Sequence, residues 1–271
     1  MKKWIFAVAV ATIISQTSNA QNAVAENTTD KKIQGGLSLN SGFLFSNFET
    51  NTINTNGLSG FFGLGFGANI KFTNNIGLFT GLEFHFERFG YKPNNTNFLY
   101  DFNDKNILQK DDDASTSQGT MRFMERRQNT VAANIPLMLL FRTNMIGYFR
   151  YFGKFGLRNS FLLQQRVTDL GFVGGALEQT ELDGMRAAND MFLFRSAGGV
   201  SAGVEWNFAS STSLSVELGY YYGFTPLFWG NGKTNRDNSS LYVVDPVSGD
   251  REYRSFKAKQ SVLELKAILL F

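Results

Sequence analysis

His85 is the only histidine in the chain, and Glu83 and Glu87 flank it at period two. On an extended strand side chains two apart share a face, so the three groups point the same way. An imidazole between two carboxylates is a pattern that can ligate a metal or move a proton. The rest of a metal shell is missing, however: there is no second His and no Cys. Thiolate sites, disulfides, Cys nucleophiles and a Cys-linked lipid anchor are excluded, and no catalytic, metal or cofactor-binding set is assigned. The competing reading is a network of enclosed charges. It comprises Glu83, His85, Glu87, Glu205, Glu217 and Glu264 facing Lys71, Arg150, Lys154, Arg158, Arg195 and Lys266. Lone charges are costly to bury, so such groups must neutralise one another.

Three further patterns have ordinary explanations. Gly63, Gly65 and Gly67 resemble a phosphate loop, but they alternate within a strand pattern and no helix follows. Small inward residues in a crowded interior account for them. Asp111, Asp112 and Asp113 lie among Asn, Ser and Thr and read as a solvated acidic loop tip. Arg122, Arg126 and Arg127 lie at the far end of that loop; if that end meets a membrane edge, they are placed to contact lipid phosphates at the outer leaflet.

Composition indicates what kind of scaffold carries these residues. The chain has 28 Phe and 27 Gly against 4 Pro, far from an ordinary soluble domain. Lys2 and Lys3, an apolar run from Trp4 to Ile14 and the small residues Ser18 and Ala20 read as a secretory signal peptide over residues 1–20. That run is shorter than the roughly twenty residues a spanning helix needs. Without Lys2 and Lys3 the mature chain is close to neutral, so net charge argues for no particular partner, and no nucleic-acid partner is expected.

Eight segments alternate apolar and polar residues. They run over Ile33 to Phe45, Leu58 to Phe72, Ile76 to Tyr91, Asn129 to Arg142, Gly147 to Gln165, Met191 to Phe208, Leu214 to Phe228 and Phe256 to Phe271. In the second, Phe62, Leu64 and Phe66 oppose the three glycines and Asn69; in the fifth, Phe155, Leu157 and Phe161 oppose Lys154 and Arg158. Pro136, inside the fourth, is expected to mark a bulge. The apolar faces are too extensive for one small interior and the polar faces are charged, the reverse of a soluble barrel. A bilayer outside and a charged, occluded lumen inside satisfy both faces.

Connection lengths alternate long and short through the chain, as in barrels with short periplasmic turns and longer extracellular loops. Phe43, Phe45, Phe89, Tyr91, Trp206, Phe208, Tyr222, Phe228 and Trp229 fall near segment ends, where interfacial girdles are expected. The predicted fold is all-β, an eight-stranded antiparallel up-and-down transmembrane β-barrel over residues 33–271. A short periplasmic segment, residues 21–32, precedes it.

Leu263, Leu265, Ala267, Leu269 and Phe271 alternate up to a terminal aromatic. This resembles the C-terminal signature of outer-membrane proteins, in which the last Phe is read as an assembly signal by the barrel-assembly machinery. The stretches Asn134-Ile135-Pro136-Leu137-Met138-Leu139-Leu140, Gly198-Gly199-Val200-Ser201-Ala202-Gly203-Val204-Glu205-Trp206 and Ser215-Val216-Glu217-Leu218-Gly219-Tyr220-Tyr221-Tyr222-Gly223-Phe224 are similar to the PorT-like outer-membrane β-barrel ("porin family") proteins of Bacteroidota. The resemblance implies a Gram-negative outer-membrane barrel; some members of that family serve type IX secretion.

Three functional classes follow. One is a structural, interaction or envelope-complex component, not an enzyme, contacting outer-membrane lipid and meeting envelope or secretion proteins through loops 92–128 and 229–255. The others are a narrow channel for small solutes and an outer-membrane enzyme built around His85.

Overall fold

The computed structural model describes residues 32–102, 119–186, 191–209, 212–228, 241–254 and 257–271. The expected signal peptide, all but the last residue of the 21–32 segment, the Asp111–Asp113 tip and Trp229 lie outside these residues.

Period-two alternation becomes strand throughout. Thirteen strands occur among the described residues: β1 (Ile33–Phe48), β2 (Ile53–Thr55), β3 (Gly60–Lys71), β4 (Ile76–Pro93), β5 (Leu99–Phe102), β6 (Gly119–Arg142), β7 (Phe149–Val173), β8 (Thr180–Met185), β9 (Phe194–Ala209), β10 (Thr212–Gly223), β11 (Tyr242–Val244), β12 (Arg251–Tyr253) and β13 (Ala258–Leu270). Eight of them pair antiparallel in the ring β1–β3–β4–β6–β7–β9–β10–β13, and β13 closes back on β1. Closure is set by register: Gly36 of β1 lies opposite Gly67 of β3 on one side and Leu270 of β13 on the other. Among the described residues no helix is long and apolar enough to cross a membrane.

The outward face carries Leu37, Leu39, Phe62, Leu64, Phe66, Phe84, Phe86, Leu137, Phe155, Leu157 and Leu265, all exposed. Their inward neighbours, among them Asn40, Gly63, Gly65, Glu83, His85, Lys154, Arg158 and Lys266, are buried. An apolar belt around an enclosed polar interior is the arrangement a bilayer favours.

Two expectations about the strands need correction. Pro136 marks no bulge: β6 pairs with β7 directly through Pro136 and Arg158, and its ladder to β4 resumes in the same register on either side. Pro136 faces the Gly81 stretch of β4, and a missing N–H removes a ladder hydrogen bond without adding a residue. The fourth and fifth segments are also longer than the alternation suggests, because β6 begins at Gly119 and β7 runs on to Val173. Bulges at Phe123/Glu125 and Val131/Ala132 break period two there and hide the strand in the sequence.

These extensions carry a cap at the long-loop end. β2 pairs with β4, β5 with β6, β8 with β7, and the β11–β12 hairpin with β5. Together they enclose an apolar core of Ile53, Phe89, Tyr91, Phe98, Tyr100, Met121, Phe123, Val167, Met185, Met191, Leu227, Phe228, Leu241 and Ala258. Burying each large side chain contributes roughly 1.5–3 kcal/mol. Phe89, Tyr91 and Phe228 therefore belong to this core and not to an interfacial girdle. Phe43, Phe45, Trp206, Phe208 and Tyr222 do face outward.

Candidate functional site

The interior below the cap is filled by the charged residues of the alternating strands. At its centre Lys266, from β13, places Nζ 2.9 Å from Glu83 Oε1, 2.9 Å from Glu264 Oε1 and 3.9 Å from Glu217 Oε1. Glu217 lies directly opposite Lys266 in the β10–β13 register and also accepts a 2.5 Å hydrogen bond from Lys154 Nζ. Lys154 is 3.8 Å from the centre of the Phe79 ring, whose electron-rich face takes part of its charge. Each cation thus meets an acid or a ring as it leaves water, the condition for tolerating it in a closed interior.

His85 is fully buried in this layer, stacked on Phe61 at 4.7 Å with the rings 10° apart. Arg158 NH2 approaches Nδ1 at 2.5 Å, and Arg158 NH1 lies 3.1 Å from Glu264 Oε2. A guanidinium can only donate, so Nδ1 is the acceptor and the ring proton sits on Nε2, 3.3 Å from Glu83 Oε2. Both ring nitrogens are thereby committed to neighbouring side chains. Asn40 Nδ2 donates to the same Glu83 oxygen at 2.8 Å. Among the described residues no three His, Asp or Glu side chains are grouped to hold a metal ion.

Two smaller groups flank the centre. Toward the cap, Glu87 accepts from Arg195 at 2.8 Å and from Thr130 at 3.0 Å, while Arg195 also donates to Gln260 at 3.1 Å. Toward the short turns, Glu205 accepts from Ser213 at 3.1 Å, lies 4.0 Å from Arg142, and faces Arg150 in the β7–β9 register. Lys71 is half-buried as the last residue of β3. Asn40, Thr130 and Gln260 complete the network without a charge that singles them out in the sequence, so their inward parity is the only signal; Arg142 does carry one, as the last residue of β6.

The glycines make room for this layer. A methyl group on Gly63 would come within 2.7 Å of Asn40 Oδ1 and His85 Cδ2, and one on Gly67 within 2.7 Å of the Phe79 ring. Between the charged layer and the cap, Glu87, Arg158, Arg195 and Gln260 line a cavity of about 30 Å³. That volume holds a water or two.

The cap has its own polar interior. Arg126 is buried and paired with Asp169, so it does not face lipid as the loop reading expects; Arg122 and Arg127 do point outward. Asp101 joins β5, β6 and the β11–β12 hairpin, accepting from Thr120 at 2.7 Å, Tyr242 at 3.0 Å and Arg251 at 2.7 Å. Burial, then the hydrogen bond to Asp101, pushes the Tyr242 hydroxyl up to about 12. At the exposed hairpin tip, the N–H groups of Val247 and Ser248 hold Asp245 below the usual carboxylate value.

Solved structures similar to this chain include Ail, the attachment invasion locus protein of Yersinia pestis, at 11% identity over 89% of this chain and 100% of that one, with a TM-score of 0.33. OprG from Pseudomonas aeruginosa is 11% identical over 88% of this chain and 94% of its own, at a TM-score of 0.39. The outer membrane protease OmpT from Escherichia coli is 8% identical over 92% and 99%, at 0.36. At these values the likenesses say nothing about activity. No curated protein matches the chain. The profile of the outer membrane protein beta-barrel domain matches residues 15–229, and β13, which closes the ring, lies beyond that match. With its closed eight-stranded ring and that match across most of its length, the chain belongs to the outer membrane protein beta-barrel domain family.

Proposed function

We propose that this protein is a structural or interaction component of the cell envelope, a sealed barrel that presents its cap outside the cell. The observation that carries this reading is the apolar core of the cap, from Ile53 to Ala258, seated over a lumen whose charges are spent on one another. A conducting pore needs a continuous wet path, whereas the cap core is apolar and its principal side chains are almost completely buried. His85, with both nitrogens engaged inside the wall, has no open face for a substrate.

Within this reading residues 1–20 direct export and are removed, residues 21–32 stay in the periplasm, and Phe271 serves barrel assembly. The PorT-like resemblance supports a finer form, an envelope or secretion-complex protein of Bacteroidota whose partners engage loops 92–128 and 229–255. The test is reconstitution of the folded barrel in planar bilayers, beside recovery of envelope partners by cross-linking. Silent bilayers, and a cross-linked envelope protein lost when residues 241–254 are deleted, are expected. Stepwise conductance from the intact chain would overturn the reading.

A further inference from the structure

The outward face above the apolar belt is uneven. On β4 the exposed series Leu82, Phe84, Phe86 gives way to Arg88; on β6 Val131 is followed outward by Asn129 and Arg127; on β7 Leu163 is followed by Arg166. Register brings these changes side by side, since Asn129 lies opposite Arg88 on one flank and Arg166 on the other. Adjacent strands lie roughly 4.8 Å apart, so the two arginines flank a gap of about 10 Å. The far wall is different: Phe45, Phe194, Tyr222 and Phe224 occupy its exposed upper positions, and Lys259 is 4.0 Å from Glu49.

The arginines are only partly satisfied by the protein. Arg88 is exposed and has no hydrogen-bond or ion-pair partner among the described residues. Arg166 donates once, from NH1 to the Gly184 carbonyl at 3.0 Å. Arg127 has Glu125 at 3.8 Å and Glu181 at 3.4 Å, loose contacts that leave much of its fork open. Planar guanidinium groups bind phosphate bidentately, and they are strongest where one side is a low-dielectric hydrocarbon surface.

We propose that Arg88, Arg127 and Arg166 form a docking site for the phosphate groups of a phosphorylated glycolipid in the outer leaflet, its acyl chains lying on the Phe84–Phe86 and Leu163 surface below. Continuity between the basic row and the lipid-facing belt selects a lipid over a soluble anion. The site is independent of whether the lumen conducts or the cap binds a partner.

The experiment measures binding of bisphosphorylated lipid A, and of its dephosphorylated form, to the full barrel in detergent micelles. The triple variant Arg88→Gln/Arg127→Gln/Arg166→Gln is expected to bind the phosphorylated lipid about tenfold more weakly. Lys257→Gln/Lys259→Gln, on the far wall, should bind as the unmodified protein does. Equal binding by the triple variant, or equal binding of the dephosphorylated lipid, overturns the proposal. So does displacement of the lipid by millimolar inorganic phosphate, which would mark a free-phosphate site. Heat-modifiable gel migration reports whether the triple variant folds; if it does not, Arg88→Gln alone is expected to weaken binding about threefold, and unchanged binding is the negative result.

Discussion

Arg126 on β6 donates from Nε and NH2 to the two carboxylate oxygens of Asp169 on β7, at 2.8 and 2.7 Å, with both side chains almost wholly excluded from solvent. The guanidinium also lies 5.3 Å from the centres of the Tyr100 and Phe123 rings. The pair joins the two longest strands above the apolar belt and sits within the aromatic core of the cap. Removing one partner strands the other charge in an apolar surround.

Arg126→Met is therefore expected to cost about 3–5 kcal/mol of cap stability, and the double variant Arg126→Met/Asp169→Leu distinctly less. Denaturant titration in micelles, followed by limited proteolysis of the β11–β12 hairpin, measures both. A double variant no better than the single one would contradict the account.

Lys266 is the shared partner of Glu83, Glu217 and Glu264. Lys266→Met should lower barrel stability by about 3–5 kcal/mol, whereas Glu217→Gln, which keeps a hydrogen-bonding group beside Lys154 and Lys266, should cost less. The temperature at which the folded gel band converts to the unfolded one ranks them.

Gly65 and Gly63 are both inward, yet they meet different neighbours. A Cβ on Gly65 would lie 2.3 Å from the Leu82 carbonyl oxygen and 2.5 Å from Glu83 Cα, whereas one on Gly63 meets side-chain atoms of Asn40 and His85. Backbone cannot yield as a side chain can, so Gly65→Ala should cost more than Gly63→Ala, with both in the range of about 1–3 kcal/mol. Comparison of folding yields into micelles would reveal a reversed order.

Alkaline pH should loosen the cap. The Tyr242 hydroxyl titrates near 12 in the folded protein because it is buried and donates to Asp101, against about 10 when exposed. A raised value means that ionisation favours the open form: the stabilisation is complete below about pH 10 and is lost as pH rises through about 12. Ultraviolet difference spectra of phenolate formation, beside proteolysis of the hairpin, should show this step, and Tyr242→Phe should remove its contribution.

Much of this was legible from parity. Glu83, His85 and Glu87 share a face because successive side chains on a strand alternate, and nothing beyond the local chain is needed to establish it. The same count carries Phe89 and Tyr91 inward, although their position near a strand end suggests a girdle. It also carries Arg126 inward with Gln128 and Thr130. Extended to Arg122, the count fails: the bulge between Phe123 and Glu125 reverses the faces, so Arg122 points out and Phe123 and Met121 point in.

By itself, then, the sequence determined the alternating strands, the apolar outside, the charged inside and the eightfold order, all consequences of a two-residue period and of connection length. Which charge meets which, that Lys266 sits between Glu83 and Glu264, that Arg158 engages His85, and that the extended strands and the short strands paired to them build an apolar cap, was decided only in the tertiary structure. Those contacts depend on register between strands distant in the chain and on bulges that shift it by one residue. No local pattern encodes them, because each strand's position along its neighbour is set by closing the whole ring.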